Sequence, residues 1–234
     1  MLGYSEIITK LQEIKKMGYV RTHRSGPTGI GKTLEDLLGI KENNIPGPNA
    51  HMLELKSERK NAKAMVTFLT KSPLPYGVNS LLLEKYGYIP AGSKRKKLHT
   101  TVNALSFNTL RGKIGFKIDV SKDRINIITN KKEIICYWTK EILRTYFENK
   151  YHDLLYVIAE HRGRGESEEF WYNEAYLLSG FGFKNFKDLI KKGVILIDIR
   201  IGRNPNGSVH DHGTGFRTAS RNFNLCFKKR KRVI

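Results

Sequence analysis

The sequence predicts a mixed α/β fold, an α+β arrangement in which helices and strands interleave. Three observations predict it. Apolar residues recur at helical spacing in some stretches and alternate with period two in others, and Gly- or Pro-containing breaks separate the two kinds. With 39% apolar and 10% aromatic residues in 234, the chain can also bury a core of ordinary size.

Each element has a local reason. Ile7, Leu11, Ile14 and Met17 lie on one helical face behind Ser5, and Gly18 stops the helix. In TGIGKTLEDLLG, Thr33 is expected to cap a short helix that ends at Gly39, which puts Glu35 in its first turn. IPGPN must turn, and HMLELK then reads as a strand. Period two puts Met52, Glu54 and Lys56 on one face of it and Leu53 and Leu55 on the other. AMVTFLT is a strand and NSLLLEKYG a helix. Between Gly115 and Thr139, the pieces GFKIDV, RINIIT and IICYWT form an antiparallel meander. KEILRTYFENKY is expected to be helical and DLLYVIAE a buried strand, with SEEFWYNEAYLL and FKNFKDLIKKG as two more helices. VILIDIRIG is a long strand, followed by the loop RNPNGSVHDHGTG, a short FRT strand and the basic end KKRKR. No internal repeat interrupts this order.

Lys and Arg number 42 against 22 Asp and Glu, a formal charge of +20. A folded surface so charged raises the local concentration of a polyanion and speeds its capture. The basic residues run from Arg21 to Arg232 instead of gathering on one amphipathic helix, which favours a long groove on nucleic acid over a membrane anchor. No apolar run reaches the roughly 18 residues of a membrane span, and the charged N-terminus lacks a secretory block. A cytoplasmic protein without a membrane partner is expected. Cys136 and Cys226 are too few for a disulfide framework and read as packing residues.

Three motifs carry possible chemistry. Gly26, Gly31, Lys32 and Thr33 match the phosphate loop of NTPases letter for letter. That loop must follow a buried parallel strand, and VRTHRS is too polar to be one. The second motif is Glu54-x-Lys56. Metal-dependent phosphodiester cleavage needs acidic oxygens to hold magnesium against the phosphate and a cation near the attacking water, and an acid-x-Lys strand offers both on one face. Nucleases of the PD-(D/E)xK type are built this way, with a second ligand on the turn five residues earlier; an exposed strand face can show the same spacing without chemistry. The third is the set Asp198, Arg200, His210, His212 and Arg217. Arginine pairs with guanine N7 and O6, an acid accepts from the cytosine amino group, and histidine donates to N7 or O6, so these types suit a G·C-rich target. His210-x-His212 has no third ligand nearby to make a zinc site. The runs at residues 94–97 and 228–232 are candidates for phosphate contact or solvated surface.

The stretch from TGIGKT to HMLELK, then KSPLPYGVNSLLLEKYGY, FKIDV, DIRIG and HDHGTGFR, resemble in the same order the MvaI/BcnI family of type II restriction endonucleases. The resemblance covers nearly the whole chain and contains the NTPase-like letters. It implies a MutH-like PD-(D/E)xK fold and a monomer whose two lobes grip double-stranded DNA around a cleft: residues 1–150 mainly catalytic, 151–234 mainly recognition. It implies Mg2+-dependent cleavage, one strand at a time, within a short CC/GG-flanked site such as CCWGG, in a prokaryotic cytoplasm that also holds a cognate DNA methyltransferase. Glu54 and Lys56 fall on the family's catalytic Glu and Lys, Glu35 on a further acid near the site, and Asp198, Arg200, His210, His212 and Arg217 on its major-groove contacts. One position departs: Asn49 stands where the family has its metal-binding Asp. An amide lacks the full charge that offsets dehydration of a hard cation, so Asn49 with Glu54 predicts a weakened magnesium site, engineered or natural. A non-cleaving DNA-binding protein and a P-loop NTPase are the alternatives.

Overall fold

The computed structural model describes residues 3–40, 53–62, 64–150 and 153–234. Elements follow in chain order as α1 (Tyr4–Lys16), β1 (Val20–Arg21), α2 (Gly29–Leu38), β2 (Leu53–Arg59) and β3 (Met65–Thr70). Next come α3 (Val78–Tyr86), β4 (Lys97–Val102), β5 (Thr109–Leu110), β6 (Lys113–Ile114) and the meander β7 (Phe116–Val120), β8 (Arg124–Thr129) and β9 (Ile134–Thr139). The remainder is α4 (Lys140–Lys150), β10 (Asp153–Arg162), β11 (Glu169–Ser179), α5 (Phe183–Lys191), β12 (Leu196–Arg203), β13 (Val209–Asp211), β14 (Gly215–Ala219) and β15 (Lys229–Arg232). The mixed α/β class is as the sequence predicts. Among the described residues no helix is long and apolar enough to cross a membrane.

The chain forms two compact units, each discontinuous in sequence. One gathers the described residues within Met1–Lys63, Glu148–Gly182 and Asn224–Ile234; the other holds Ala64–Phe147 and Phe183–Phe223. The single boundary expected near residue 150 therefore gives way to an interleaved division. Strand pairing causes it: β10 runs parallel to β2 and β15 pairs antiparallel with β11, so later segments return to the first unit.

In the first unit the strand order is β1-β11-β10-β2. One face of this sheet is covered by the apolar stripes of α1 (Ile7, Leu11, Ile14) and α2 (Ile30, Leu34, Leu38), packed on Leu155, Val157, Ala159, Phe170 and Tyr172. Each fully buried Leu, Ile, Val or Phe among them contributes roughly 1.5–3 kcal/mol. The buried Tyr172 hydroxyl donates to the Ile30 carbonyl at 2.7 Å, so that hydroxyl is not stranded between helix and sheet.

Several elements depart from expectation: the expected loop RNPNGSVHDHGTG contains β13, the basic end forms β15, and two differences fall in the first unit's β11 and α2. SEEFWYNEAYLL is not a helix but most of β11. Its pairing with β10 shifts register between Ile158 and Ala159, so Asn173 is an extra residue in the strand. The bulge lengthens the core-face spacing from Phe170 and Tyr172 to Ala175 by one residue, and Leu178, buried by alternation on the other face, completes a run that imitates a helix. The helix α2 starts at Gly29, not behind Thr33, and Glu35 lies in its second turn. Thr33 is fully buried, and its hydroxyl accepts the His23 backbone N–H at 2.9 Å.

In the second unit β12 is central. It pairs antiparallel with β4 along one side and with β14 and β13 along the other. Ile195, Ile197, Ile199 and Ile201 are all fully buried beneath it. The aromatic core includes Trp138 and Phe186, each 5.3 Å from Phe216 between ring centroids. With Ile197 and Ile199 turned inward, alternation turns Asp198 and Arg200 to the opposite face.

Candidate functional site

On β2, Leu55 joins the apolar core under α1 and α2, so Glu54, Lys56 and Glu58 take the other face of the strand. Glu54 lies opposite Leu154 and Lys56 opposite Tyr156 in the parallel register. The Glu54 side chain is buried, at 4% residue exposure, and its Oε1 is 3.5 Å from Lys56 Nζ. A buried carboxylate needs a countercharge, and Lys56 supplies one. Next along the same face, Glu58 accepts a hydrogen bond from the Tyr156 hydroxyl. Met52 and Asn49 lie outside the described residues, as does the IPGPN turn.

Glu35 is half-buried on α2, one position past the core residue Leu34. A Cβ on Gly31 would stand 3.7 Å from the Ser57 hydroxyl, so α2 lies against the face of β2 opposite Glu54 and Lys56. Among the described residues β2 is the edge of its sheet, where the two faces meet. The sheet also orients α2 through Arg59. Its Nε and Nη2 each bond a carboxylate oxygen of the buried Glu168 at 2.7 Å, and its guanidinium donates to the carbonyls of Gly26 and Pro27 before α2. This Arg59 hydrogen bond, joined by His161 nearby, holds the Glu168 carboxyl below its ordinary value against the opposing effect of burial.

The phosphate-loop letters have another use here. β1, which precedes them, is two residues long and only partly buried. Lys32 pairs with Asp36 one helical turn on, and Asp36 also bonds His23 Nδ1 at 3.0 Å. Hydrogen bonds from Lys32 and then His23 hold the Asp36 carboxyl below its usual range. Asp198, which ends the apolar run VILID as the magnesium-binding Asp of an NTPase ends its strand, accepts from the Thr101 hydroxyl at 3.1 Å.

Among the described residues no group of three or more His, Cys, Asp or Glu is placed to hold a metal ion. Magnesium does not need one, because one or two carboxylates suffice when water and substrate phosphate complete its octahedron. Glu54, a carboxylate beside a lysine on one strand face, fits that limited demand.

The second cluster lies on β12. Asp198 Oδ2 is 3.4 Å from Arg217 Nε and 4.0 Å from Arg200 Nε, so the acid leans towards Arg217. Arg217 Nη2 donates to the Gly213 carbonyl at 3.0 Å, while its Nε is buried without a hydrogen bond to any described residue. The Arg200 side chain remains 39% exposed. A groove of about 560 Å³ opens here, lined by Asp198, Arg200, Arg217, His99, Thr101 and Asn108 among others. His210 lies opposite Gly202, and the His212 ring covers that glycine: a Cβ at residue 202 would come within 2.8 Å of His212 Nε2. The rings of His210 and His212 are 4.7 Å apart, both exposed. The structure thus brings together Asp198, Arg200, Arg217, His210 and His212 on one face. Among the described residues Asp211 is bonded away from them. Burial pushes its carboxyl up, but hydrogen bonds from Ser72, Thr214 and Gly213 outweigh burial and hold it below the usual range.

His99 and Thr101 are additions that sequence reading missed. In KLHTTV, Leu98 and Val102 are fully buried while His99 and Thr101 share the opposite face, so period-two alternation was the available signal.

The MvaI/BcnI restriction endonuclease family model matches residues 8–227. A solved complex of restriction endonuclease MvaI with its cognate DNA substrate is 29% identical, covers the full length of both chains and superposes with a TM-score of 0.84. A structure of restriction endonuclease MvaI in the absence of DNA is 30% identical, covers 100% of this chain and 99% of that one, and gives a TM-score of 0.59. No curated protein matches the chain.

Proposed function

The chain belongs to the MvaI/BcnI restriction endonuclease family, and on that premise we propose that it is a monomeric, magnesium-dependent type II endonuclease reading a short CC/GG-flanked duplex site such as CCWGG. The observation that carries the chemistry is Glu54 paired with Lys56 on one face of β2. The other cluster supplies the reading: Asp198, Arg200, Arg217, His210 and His212 present the hydrogen-bonding types that suit G·C base edges.

Glu54 and the residue at 49 would hold magnesium, with Glu35 in support from α2. That ion, when bound, supplies Lewis acidity at the scissile phosphate and acidifies water. Lys56 orients the attacking water and offsets the charge that grows on the phosphate. Asn49 lacks the second carboxylate charge, so this chain holds DNA better than it cuts it. A prokaryotic cytoplasm with a protecting cognate methyltransferase is the setting this reading implies.

The test is to digest a plasmid of known sequence with the Asn49→Asp protein in magnesium and map the ends. Defined ends within one short CC/GG-flanked site are expected, with slow or no cleavage by the unchanged chain. No cleavage by the Asp form would overturn the assignment of Asn49 and Glu54, and random ends would overturn the site-specific reading.

A further inference from the structure

We propose that His99 is a base-reading residue, placed on β4 beside Arg200 to bond a major-groove base edge and fix one base pair of the target. This rests on the reading that the β12 face recognises DNA.

The strand register supplies the geometry. His99 is the direct antiparallel partner of Arg200, as Thr101 is of Asp198, so all four share a face. Cross-strand partners stand about 5 Å apart at Cβ, and base pairs stack about 3.4 Å apart. His99 therefore addresses the base pair read by Arg200 or its neighbour. The ring is half-buried in the groove wall, in edge contact with His212 at 6.2 Å. Among the described residues no hydrogen bond reaches either of its nitrogens, whereas Thr101 is committed to Asp198 and the Asn108 amide to Thr100, Thr101 and Phe116.

The surroundings also set its protonation. Burial first, then the charges of Lys97 on the same strand, Arg200 on β12 and His212 beyond β13, hold the imidazole below its ordinary value, while Asp198 pulls the other way. A neutral ring at pH 7 carries one donor and one acceptor. It can donate to guanine N7 or O6, or accept from a base amino group, where the neighbouring arginines can only donate.

The experiment is enrichment of a randomised duplex pool on the intact chain without magnesium, using the unchanged protein, His99→Ala, His99→Gln and Arg200→Ala. His99→Ala should enrich the same site with one base pair degenerate, identical or adjacent to the one lost in Arg200→Ala. Cognate affinity should fall roughly ten- to a hundredfold, with affinity for random DNA and its salt slope unchanged. His99→Gln keeps a neutral donor and acceptor and guards against loss of the fold, read by its thermal midpoint. It should shift the preferred base at that position. If either folded variant enriches the unchanged consensus at every position, the role of His99 is overturned and the reading by Arg200 stands. If the unchanged chain enriches nothing, DNA reading itself falls and His99 with it.

Discussion

Two strands of this molecule carry the same spacing of an acid and a cation, and they use it differently. On β2, Glu54 and Lys56 close to 3.5 Å with the acid buried. On β12, Asp198 and Arg200 stay 4.0 Å apart, because Thr101 and Arg217 draw the acid aside and leave Arg200 partly exposed. The i, i+2 spacing only guarantees a shared face. What the neighbours do decides whether the pair closes on itself or keeps hydrogen-bonding capacity for a ligand, and that difference separates the proposed chemistry from the proposed reading.

The sharpest way to break the comparison is at Glu54. In the Asn49→Asp background, Glu54→Gln removes the remaining carboxylate charge. Magnesium-dependent plasmid cleavage should drop on the order of a thousandfold, since metal-based charge stabilisation amounts to several kcal/mol. Cleavage within tenfold of the parent would mean that the β2 pair is only a structural ion pair.

A second break falls on what holds β2 to α2. Arg59→Ala leaves the buried Glu168 without its guanidinium and frees the Gly26 and Pro27 carbonyls. Stability should fall by about 3 kcal/mol, the cost of stripping a buried pair of one partner, measured by urea unfolding. The pH dependence has a definite sign. The Glu168 carboxyl is held below its unfolded value of 4.5, so its contribution is present above that value and lost as pH falls through the folded one. The difference in stability between the unchanged chain and Arg59→Ala should therefore shrink in acid.

The smallest effect is expected at Arg217. Arg217→Ala should cost about 1–3 kcal/mol of discrimination against a wrong base, read as the ratio of binding to cognate and mismatched duplexes, with the salt slope little changed. A merely structural Arg217 would lower thermal stability and leave the ratio intact.

Much of this was legible in the sequence because period two is a strong signal where one face is apolar. Leu55 against Glu54 and Lys56, and the isoleucines against Asp198 and Arg200, place both faces by alternation alone. The meander of β7, β8 and β9 was legible for the same reason. What escaped depended on partners far away in the chain. Asn173 bulges β11 only because β10 is beside it, and the bulge together with burial on both faces of the strand gave its buried residues a helical look. Thr33 had the chemistry of a cap, yet the buried site under His23 claimed it and let α2 begin earlier. The interleaved units follow from the parallel pairing of β2 with a strand over ninety residues later, a closure that no local pattern announces. Alternation in KLHTTV marks a strand, but nothing local puts His99 beside Arg200, which is its partner only through the pairing of β4 with β12.

On the proposed function, the β2 pair cuts and the β12 face reads. Its most direct test is the ratio of cognate to mismatched duplex binding for Glu54→Gln in the Asn49→Asp background, measured without magnesium beside the unmutated Asp form. Equal ratios are expected in two proteins whose cleavage rates differ by orders of magnitude. A selectivity lost together with cleavage would contradict the proposed function.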